Sequence, residues 1–180
     1  MIRYKQLTSV IGLLIYLSYA TLAHADEKLA ETLRSLAETN RHPYLLHADL
    51  SDQQQAIQSL YQLNQYQLVW LTNGPDDSPL INDILRLLAA ANEQGLNSQD
   101  YDSAHLAQQW QQLKIRRDAT PQELALYDSA LNIALLRYLS DLHNGRIKTP
   151  NIQLNPEIAT DKPNFPELII AAWLPDGERP

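Results

Sequence analysis

The sequence predicts an all-α protein, a compact bundle of five or six helices with short loops, after a cleaved signal peptide. Apolar residues recur at helical spacing in residues 79–94 and again in residues 120–144. A glycine follows each of these stretches, at Gly95 and at Gly145. Only residues 66–71 are rich in β-forming residues, and no convincing partner strand occurs elsewhere. We therefore interpret residues 66–71 as an extended connector.

The N-terminal segment has the layout of a secretory signal peptide. A basic start precedes an apolar run over residues 7–23, and the tripeptide Ala23-His24-Ala25 follows. The small residues Ala23 and Ala25 predict cleavage after Ala25 and export to the periplasm. The alternative is an inner-membrane anchor formed by residues 7–23, because such a run approaches the length that spans a bilayer, about 17–25 residues.

Charge and composition exclude several functional classes. The 180-residue chain has a formal net charge of −7, and loss of Arg3 and Lys5 with the signal peptide would change it to −9. Nucleic acid is not expected as a partner, because binding to phosphates needs clustered lysine and arginine. The chain contains no cysteine, which excludes disulfides, a cysteine nucleophile and a thiolate metal site.

Two helices are predicted before the connector. The first covers residues 26–40, where leucines recur at helical spacing. Pro43 interrupts the helical pattern, because proline cannot continue a helix. Ser51 with Gln54 three residues later has the arrangement of a capping box and predicts the start of the second helix.

The corner around Gly95 has a complete local explanation. Residues 79–94 form a strongly amphipathic helix, and Gly95 stands where a left-handed C-terminal cap is expected. Asn97 or Ser98 can cap the next segment, which runs towards Trp110. We therefore interpret this stretch as a corner between two helices and not as an active site.

The best-marked helix covers residues 120–144. Thr120 is the expected N-cap, Pro121 the first helical residue, and Glu123 completes a capping box. Gly145 ends the helix. A wide apolar face predicts a central position in the bundle.

The expected domain organisation has three parts. Residues 1–25 form the signal peptide, and residues 26–150 form the helical domain. Residues 151–180 are a proline-rich tail with one short helix, the end of the same domain.

The histidines do not predict a metal site or a catalytic site. Four histidines follow the expected cleavage site: His42, His47, His105 and His143. None stands four residues from another, so the helical spacing of metal ligands is missing. His42 and His47 flank Pro43 and could meet, although exposed loop histidines are commoner. No phosphate loop or dinucleotide motif occurs, and no cofactor is expected.

Two acidic residues of the long helix could be considered as an acid–base pair. Asp128 and Asp141 are thirteen residues apart, which turns the second about 220° from the first. They therefore point to nearly opposite sides and cannot face each other. For Asp128 we expect a buried partner, either Arg146 or a capping amide, and we predict no catalytic residues.

The order of motifs resembles the N-terminal scaffold domain of the large periplasmic L,D-transpeptidases of Gram-negative bacteria. The pattern consists of tyrosines before a tryptophan, Gly-Leu before Asp-Tyr, and acidic residues in a long helix that ends in Gly-Arg. The matching positions cover residues 51–150 and are Tyr61, Tyr66, Trp70, Gly95, Leu96, Asp100, Tyr101, Asp128, Asp141, Gly145 and Arg146.

The resemblance implies a non-catalytic module that is linked to peptidoglycan cross-linking. In that family a separate domain with a catalytic cysteine carries out the chemistry, so this chain is expected to be a fragment, a truncated relative or a free-standing scaffold. The implied partners are an L,D-transpeptidase catalytic domain or another envelope protein, and peptidoglycan. Two alternatives remain: a free-standing helical adaptor for another envelope protein, and a carboxylate-dependent murein hydrolase.

Overall fold

The computed structural model describes residues 27–72, 74–75, 78–116, 118–145 and 163–173. The expected signal peptide, Arg146 and most of the proline-rich tail lie outside these residues. Within them the chain forms α-helices and no β-strand, and Arg41 and Asp49 form one isolated antiparallel bridge. The predicted all-α fold is confirmed, and residues 66–71 form a connector and not a strand, as predicted. The connector is not extended throughout, because Tyr66 lies in a turn with a φ of 56° and Val69 and Trp70 lie in a bend.

The helices follow the predicted order with shifted boundaries. They are α1 (27–38), α2 (Gln54–Leu63), α3 (Pro79–Ala89), α4 (Ser103–Ile115), α5 (Pro121–Asn144) and α6 (Phe165–Trp173). A 3₁₀ segment, Ala90–Gln94, continues α3, so residues 79–94 are α-helical only as far as Ala89. A second 3₁₀ segment, Ser98–Tyr101, precedes α4, and the short helix predicted in the tail is α6.

Of the two predicted capping boxes, one is confirmed and the other is wrong. At α5, the Thr120 hydroxyl accepts from the Glu123 amide and the Glu123 carboxylate accepts from the Thr120 amide, which confirms the capping box. The capping box predicted at Ser51 is wrong, because α2 begins at Gln54 without a side-chain cap. Ser51 instead belongs to the turn before α2, where its amide donates to Asp49 Oδ1 at 3.0 Å.

Helix α5 lies at the centre of the bundle, as its wide apolar face predicts. It packs against α2, α3, α4 and α6. Tyr127 of α5 stacks on Trp110 of α4, with the ring centroids 5.5 Å apart. Buried aromatic rings of this size contribute strongly to the core. Among the residues that the structure describes, no helix has both the length and the apolar character needed to cross a bilayer.

Candidate functional site

Asp128 lies at the centre of a buried polar cluster on α5. Its carboxylate accepts from the amides of Val69 and Trp70, the shortest of these bonds being 2.7 Å from the Trp70 amide. The Tyr61 hydroxyl donates to Asp128 Oδ1 at 3.0 Å, and Asn132 Nδ2 donates to the same oxygen at 3.1 Å. Trp70 Nε1 donates to Asn132 Oδ1 at 2.8 Å. We call these five residues the Asp128 cluster.

The Asp128 cluster holds an anion in a fully buried position. Burial raises the pKa of Asp128 to about 6, while the bonds from Trp70 and Val69 act in the opposite direction. The carboxyl group is therefore ionised at neutral pH, and it acts as the acceptor in each of its hydrogen bonds within the cluster. Burial and the neighbouring Asp128 raise the pKa of Tyr61 well above its usual range, so Tyr61 keeps the proton that it donates. This arrangement fixes the connector to α2 and α5.

The Gly95 corner holds a second group of the sequence-predicted residues. Gly95 has a φ of 73°, and the amide of Leu96 donates to the carbonyl of Ala91 at 3.1 Å, as expected of a left-handed cap. The Asn97 side chain accepts from the Gln99 amide and caps the following 3₁₀ segment. That segment contains half-buried Asp100 and ends at Tyr101.

Tyr101 connects this corner to the C-terminal half of α5. Its hydroxyl donates to Asp141 Oδ2 at 3.0 Å, and its ring meets the edge of Tyr138 with the centroids 5.5 Å apart. Asp128 contacts the connector whereas Asp141 contacts the corner, so the two carboxylates serve different sides of α5. This agrees with the angle worked out from their spacing.

Two further motif residues follow the ends of helices and have a positive φ. Gly145 follows α5 with a φ of 67°. Tyr66 follows α2 with a φ of 56°, and Gln65 before it has a φ of 52°. The Arg34 guanidinium of α1 lies over the Tyr66 ring, 4.4 Å from its centroid. The structure therefore brings Tyr61, Trp70 and Asp128 together but leaves Tyr66 outside that cluster.

His42 corrects the expectation of exposed loop histidines. Its side chain is buried, and Nδ1 accepts from the Tyr44 amide at 3.1 Å. Nε2 therefore carries the proton of the neutral ring and donates to Ser129 Oγ at 2.9 Å, and Ser129 donates to the Ala125 carbonyl. Burial and nearby Arg137 lower the pKa of His42 to about 4, so the ring is neutral at physiological pH.

The loop over residues 41–53 is fixed by a group that the sequence did not predict. Arg137 of α5 donates to the carbonyl oxygens of His47 and Asp49 and to both carboxylate oxygens of Asp52. His47 Nδ1 donates to Asp102 Oδ1 at 2.7 Å, and the His47 amide donates to Asp102 Oδ2 at 3.2 Å. We call these five residues the Arg137 cluster. His42 and His47 thus have separate partners, Ser129 and Asp102.

One sequence signal could have indicated these residues. Asn132 and Arg137 interrupt an otherwise apolar run in α5, and polar side chains inside a central helix need buried partners. The same signal gives no information on which loop supplies those partners. Asp102 carries no such signal, since it stands at the start of α4 with a φ of 51° and binds a loop 55 residues away.

A cleft of about 590 Å³ lies between the loop, the Gly95 corner and α5. Its charged residues include Arg41, Asp49, Asp52, Arg137 and Asp141. Most of them already bind groups of the protein: Asp52 pairs with Arg137, Asp49 accepts from Ser51, and Asp141 accepts from Tyr101. The polar side chains of the cleft therefore contribute mainly to holding its walls together.

The described part of the chain contains no candidate metal centre. There, no three histidine or acidic residues lie close enough together to hold an ion. His105 contacts Gln109, and His143 meets the edge of Phe165, so these two histidines lie apart from His42 and His47.

Comparison with known proteins identifies the fold. A family model described as "Scaffold domain" matches residues 55–175, which is more than half of the 180-residue chain. This match covers α2 from its second residue through α6, with the whole Asp128 cluster. Of the Arg137 cluster it includes Arg137 and Asp102, whereas the loop over residues 41–53 lies before it. No curated protein and no solved structure gives a significant match. The chain belongs to the scaffold domain family of the L,D-transpeptidases.

Proposed function

We propose that the protein is a non-catalytic scaffold module of a murein L,D-transpeptidase and that it acts in the periplasm during peptidoglycan cross-linking. The observation that carries this proposal is the family match over residues 55–175. A scaffold must hold a defined shape while other parts of the enzyme move and react. The two polar clusters on α5 suit this role, because they fix non-helical segments that would otherwise be free to move.

The chemistry of the side chains supports a non-catalytic role. L,D-transfer of the kind that the resemblance implies proceeds through a thiolate, and the sequence contains no cysteine. Asp128 is fully buried and cannot contact a glycan strand, which argues against a hydrolase that would use this carboxylate. The adaptor alternative has weaker support, since the exposed leucines and isoleucines are spread over several elements, such as Leu46, Ile115 and Leu168.

The test of the non-catalytic role uses disaccharide-tetrapeptide muropeptides. We expect the purified protein to leave them unchanged, as measured by mass spectrometry against a heat-denatured control. A cross-linked dimer above that control would refute the proposal, and a shortened glycan would favour the hydrolase.

The scaffold role itself needs a positive test. We expect the folded protein to bind an L,D-transpeptidase catalytic domain, measured by isothermal titration calorimetry. Ile115→Ser on the exposed end of α4 and Leu46→Ser on the loop change different surfaces without affecting the core, so they indicate which face is used. Absence of binding to any catalytic domain, together with binding to another envelope protein, would favour the adaptor.

The periplasmic location depends on the N-terminal segment. Protein isolated from the periplasm is expected to begin at Asp26, as read by N-terminal sequencing. Intact Met1 in the membrane fraction would instead support an anchor over residues 7–23.

A further inference from the structure

A second, uncharged pocket lies beside the α2–connector turn. It has a volume of about 380 Å³ and lies between the start of α1 and residues 65–72. No charged side chain lines it, in contrast to the larger cleft at the Arg137 cluster. The polar groups available to a ligand are the side-chain amides of Gln65 and Gln67 and the hydroxyl of Thr72, all on exposed residues.

These three polar side chains are not used to hold the fold. Within the described residues, the side chains of Gln65, Gln67 and Thr72 form no hydrogen bond to the protein, so water satisfies them. A ligand with several hydroxyl or amide groups can replace that water without breaking a protein contact. The larger cleft differs in this respect, because most of its charged groups already bind groups of the protein.

The remaining lining of the pocket is apolar and aromatic. Leu29, Ala30 and Leu68 form an apolar wall, and half-buried Tyr66 adds a ring. Arg34, which lies over the Tyr66 ring, is not part of this wall. An uncharged pocket that combines amides, a hydroxyl, an aromatic ring and small apolar groups suits an N-acetylated sugar, whose hydroxyls, acetamido group and C–H face match these chemistries.

The turn at this pocket, which ends α2, contains two non-glycine residues with left-handed backbone angles. Gln65 and Tyr66 both have left-handed φ angles, of 52° and 56°, which glycine would adopt without strain. The main chain of the turn is bonded to α2, since the Gln65 amide donates to the Gln62 carbonyl at 3.2 Å and the Tyr66 amide donates to the Tyr61 carbonyl at 2.7 Å. Strained non-glycine residues are concentrated at ligand sites, where the side chain is needed for binding.

We propose that this pocket binds the acetamido-sugar strand of a glycan through Gln65, Tyr66, Gln67 and Thr72. That the glycan is peptidoglycan rests on the proposed function, whereas the sugar class rests on the pocket. The site would let the scaffold module hold a glycan strand while a separate domain acts on its peptides.

The test uses N-acetylchitotetraose as an uncharged probe of the purified protein, measured by isothermal titration calorimetry and saturation-transfer NMR. We expect a Kd on the order of 1 mM, since a short sugar in an open pocket forms few contacts. Thr72→Ala is expected to weaken binding about fivefold, the effect of one lost hydrogen bond. Gln108→Ala, on an exposed surface of α4, is the matched control and should bind as the parent does.

Gln65→Gly separates a binding role from a structural one. Glycine relieves the left-handed strain, so we expect its Tm to rise by about 2–4 °C while the affinity for the sugar falls several-fold. A structural glutamine would give the reverse, a lower Tm with unchanged binding.

Three results would overturn the proposal. These are no binding of the probe at 10 mM (about ten times the expected Kd), equal binding by Thr72→Ala and Gln65→Gly, or equal binding of cellotetraose, which lacks the acetamido group. Each of these can occur while the protein still binds a transpeptidase catalytic domain and forms no cross-links. Failure of the sugar site is therefore distinguishable from failure of the scaffold function.

Discussion

The Asp128 cluster and the Arg137 cluster solve the same problem with opposite charges. Both lie on α5, and both bind a segment without regular secondary structure. Asp128 is an acceptor for the amides of Val69 and Trp70 in the connector. Arg137 is a donor to the carbonyls of His47 and Asp49 in the loop.

One helix, α5, holds both of these segments in place. Backbone groups that have no helical or strand partner need another one when they are buried. Helix α5 supplies Asp128 as the acceptor for the Val69 and Trp70 amides of the connector. It supplies Arg137 as the donor to the His47 and Asp49 carbonyls of the loop. The two sites differ in depth, because Asp128 is fully buried whereas Asp52, the ion-pair partner of Arg137, is about half exposed.

This difference predicts that the Asp128 cluster is the more sensitive of the two. Asp128→Ala would leave two backbone amides and the Tyr61 hydroxyl buried without their acceptor. We expect a loss of about 3–5 kcal/mol in the free energy of unfolding, measured by urea denaturation, or a chain that fails to fold. Asp141→Ala is the control and should lose about 1 kcal/mol, because Asp141 is half-buried and its hydrogen bond from the Tyr101 hydroxyl is only partly buried. Equal losses for the two variants would contradict the comparison.

His42, beside the Arg137 cluster, and Asp128 are expected to affect the pH dependence of stability in opposite directions. The folded pKa of His42 is lowered from 6.5 to about 4, so the unfolded chain binds the proton first as the pH falls. Its contribution to stability is present above pH 6.5 and is lost as the pH falls towards 4, by about 3 kcal/mol. The folded pKa of Asp128 is raised from 3.8 to about 6. Its contribution is present below pH 3.8 and is lost as the pH rises through 6, also by about 3 kcal/mol.

The two contributions therefore oppose each other between pH 4 and pH 6. The parent should change little in stability over this range through these two groups. His42→Asn keeps an acceptor for the Tyr44 amide but does not titrate, so it should gain stability relative to the parent as the pH falls from 7 to 4. The measurement is the difference in unfolding free energy between parent and variant at pH 7, 6, 5 and 4. A difference that is independent of pH would show that His42 is not the titrating group.

Arg137→Met tests the loop side of the comparison. Methionine keeps much of the side-chain volume but removes the donors to His47, Asp49 and Asp52. We expect a loss of about 2–3 kcal/mol, since the loop carbonyls and Asp52 can partly turn to water. Hydrogen exchange should accelerate at the His42 and Leu50 amides, which bond within the loop region, while Val69 and Trp70 stay protected.

Arg86→Met is the matched control for this variant. Arg86 pairs with Asp83 on the exposed surface of α3, and such a pair contributes about 0–1 kcal/mol. If Arg137→Met also accelerated exchange at Val69 and Trp70, the two clusters would form one cooperative unit and not two.

The features that could be predicted from the sequence are those that depend on local signals. Helix periodicity, Gly95 and the Thr120 capping box are local signals, and the structure agrees with them. The motif order also selected Tyr61, Trp70 and Asp128, which the structure brings together. Their roles as hydrogen-bond partners, however, depend on contacts between residues 58 to 67 positions apart.

The Arg137 cluster could not be predicted in this way. Arg137 binds main-chain carbonyls, and every residue has a carbonyl group. The sequence of the loop therefore does not indicate which residues Arg137 binds. The wrong prediction of a capping box at Ser51 has a related cause. The Asp49 carboxylate accepts from the Ser51 amide and forms an Asx turn, and such turns use the same short polar residues as helix caps. His42 was misplaced because burial depends on the packing of the loop against α5.

The smallest expected effect concerns Gly95 and Gly145, which touch neither cluster. Both have a positive φ, and a Cβ at either position would meet no atom within 4 Å, so backbone strain is the only cost of alanine. Gly95→Ala should lose about 1 kcal/mol in the free energy of unfolding, and Gly145→Ala about 1–2 kcal/mol, because the ψ of 156° at Gly145 lies outside the left-handed helical region. Asn at position 95 should recover part of this loss, because asparagine tolerates the left-handed conformation. Gln94→Ala is the control, on an exposed residue of the 3₁₀ segment, and should melt with the parent.

Because strain at a helix end is local, neither glycine variant should alter the pH dependence of stability or the hydrogen exchange of the loop amides. A changed pH profile in Gly95→Ala would mean that the corner is coupled to the Arg137 cluster through Asp102, which lies seven residues further along the chain.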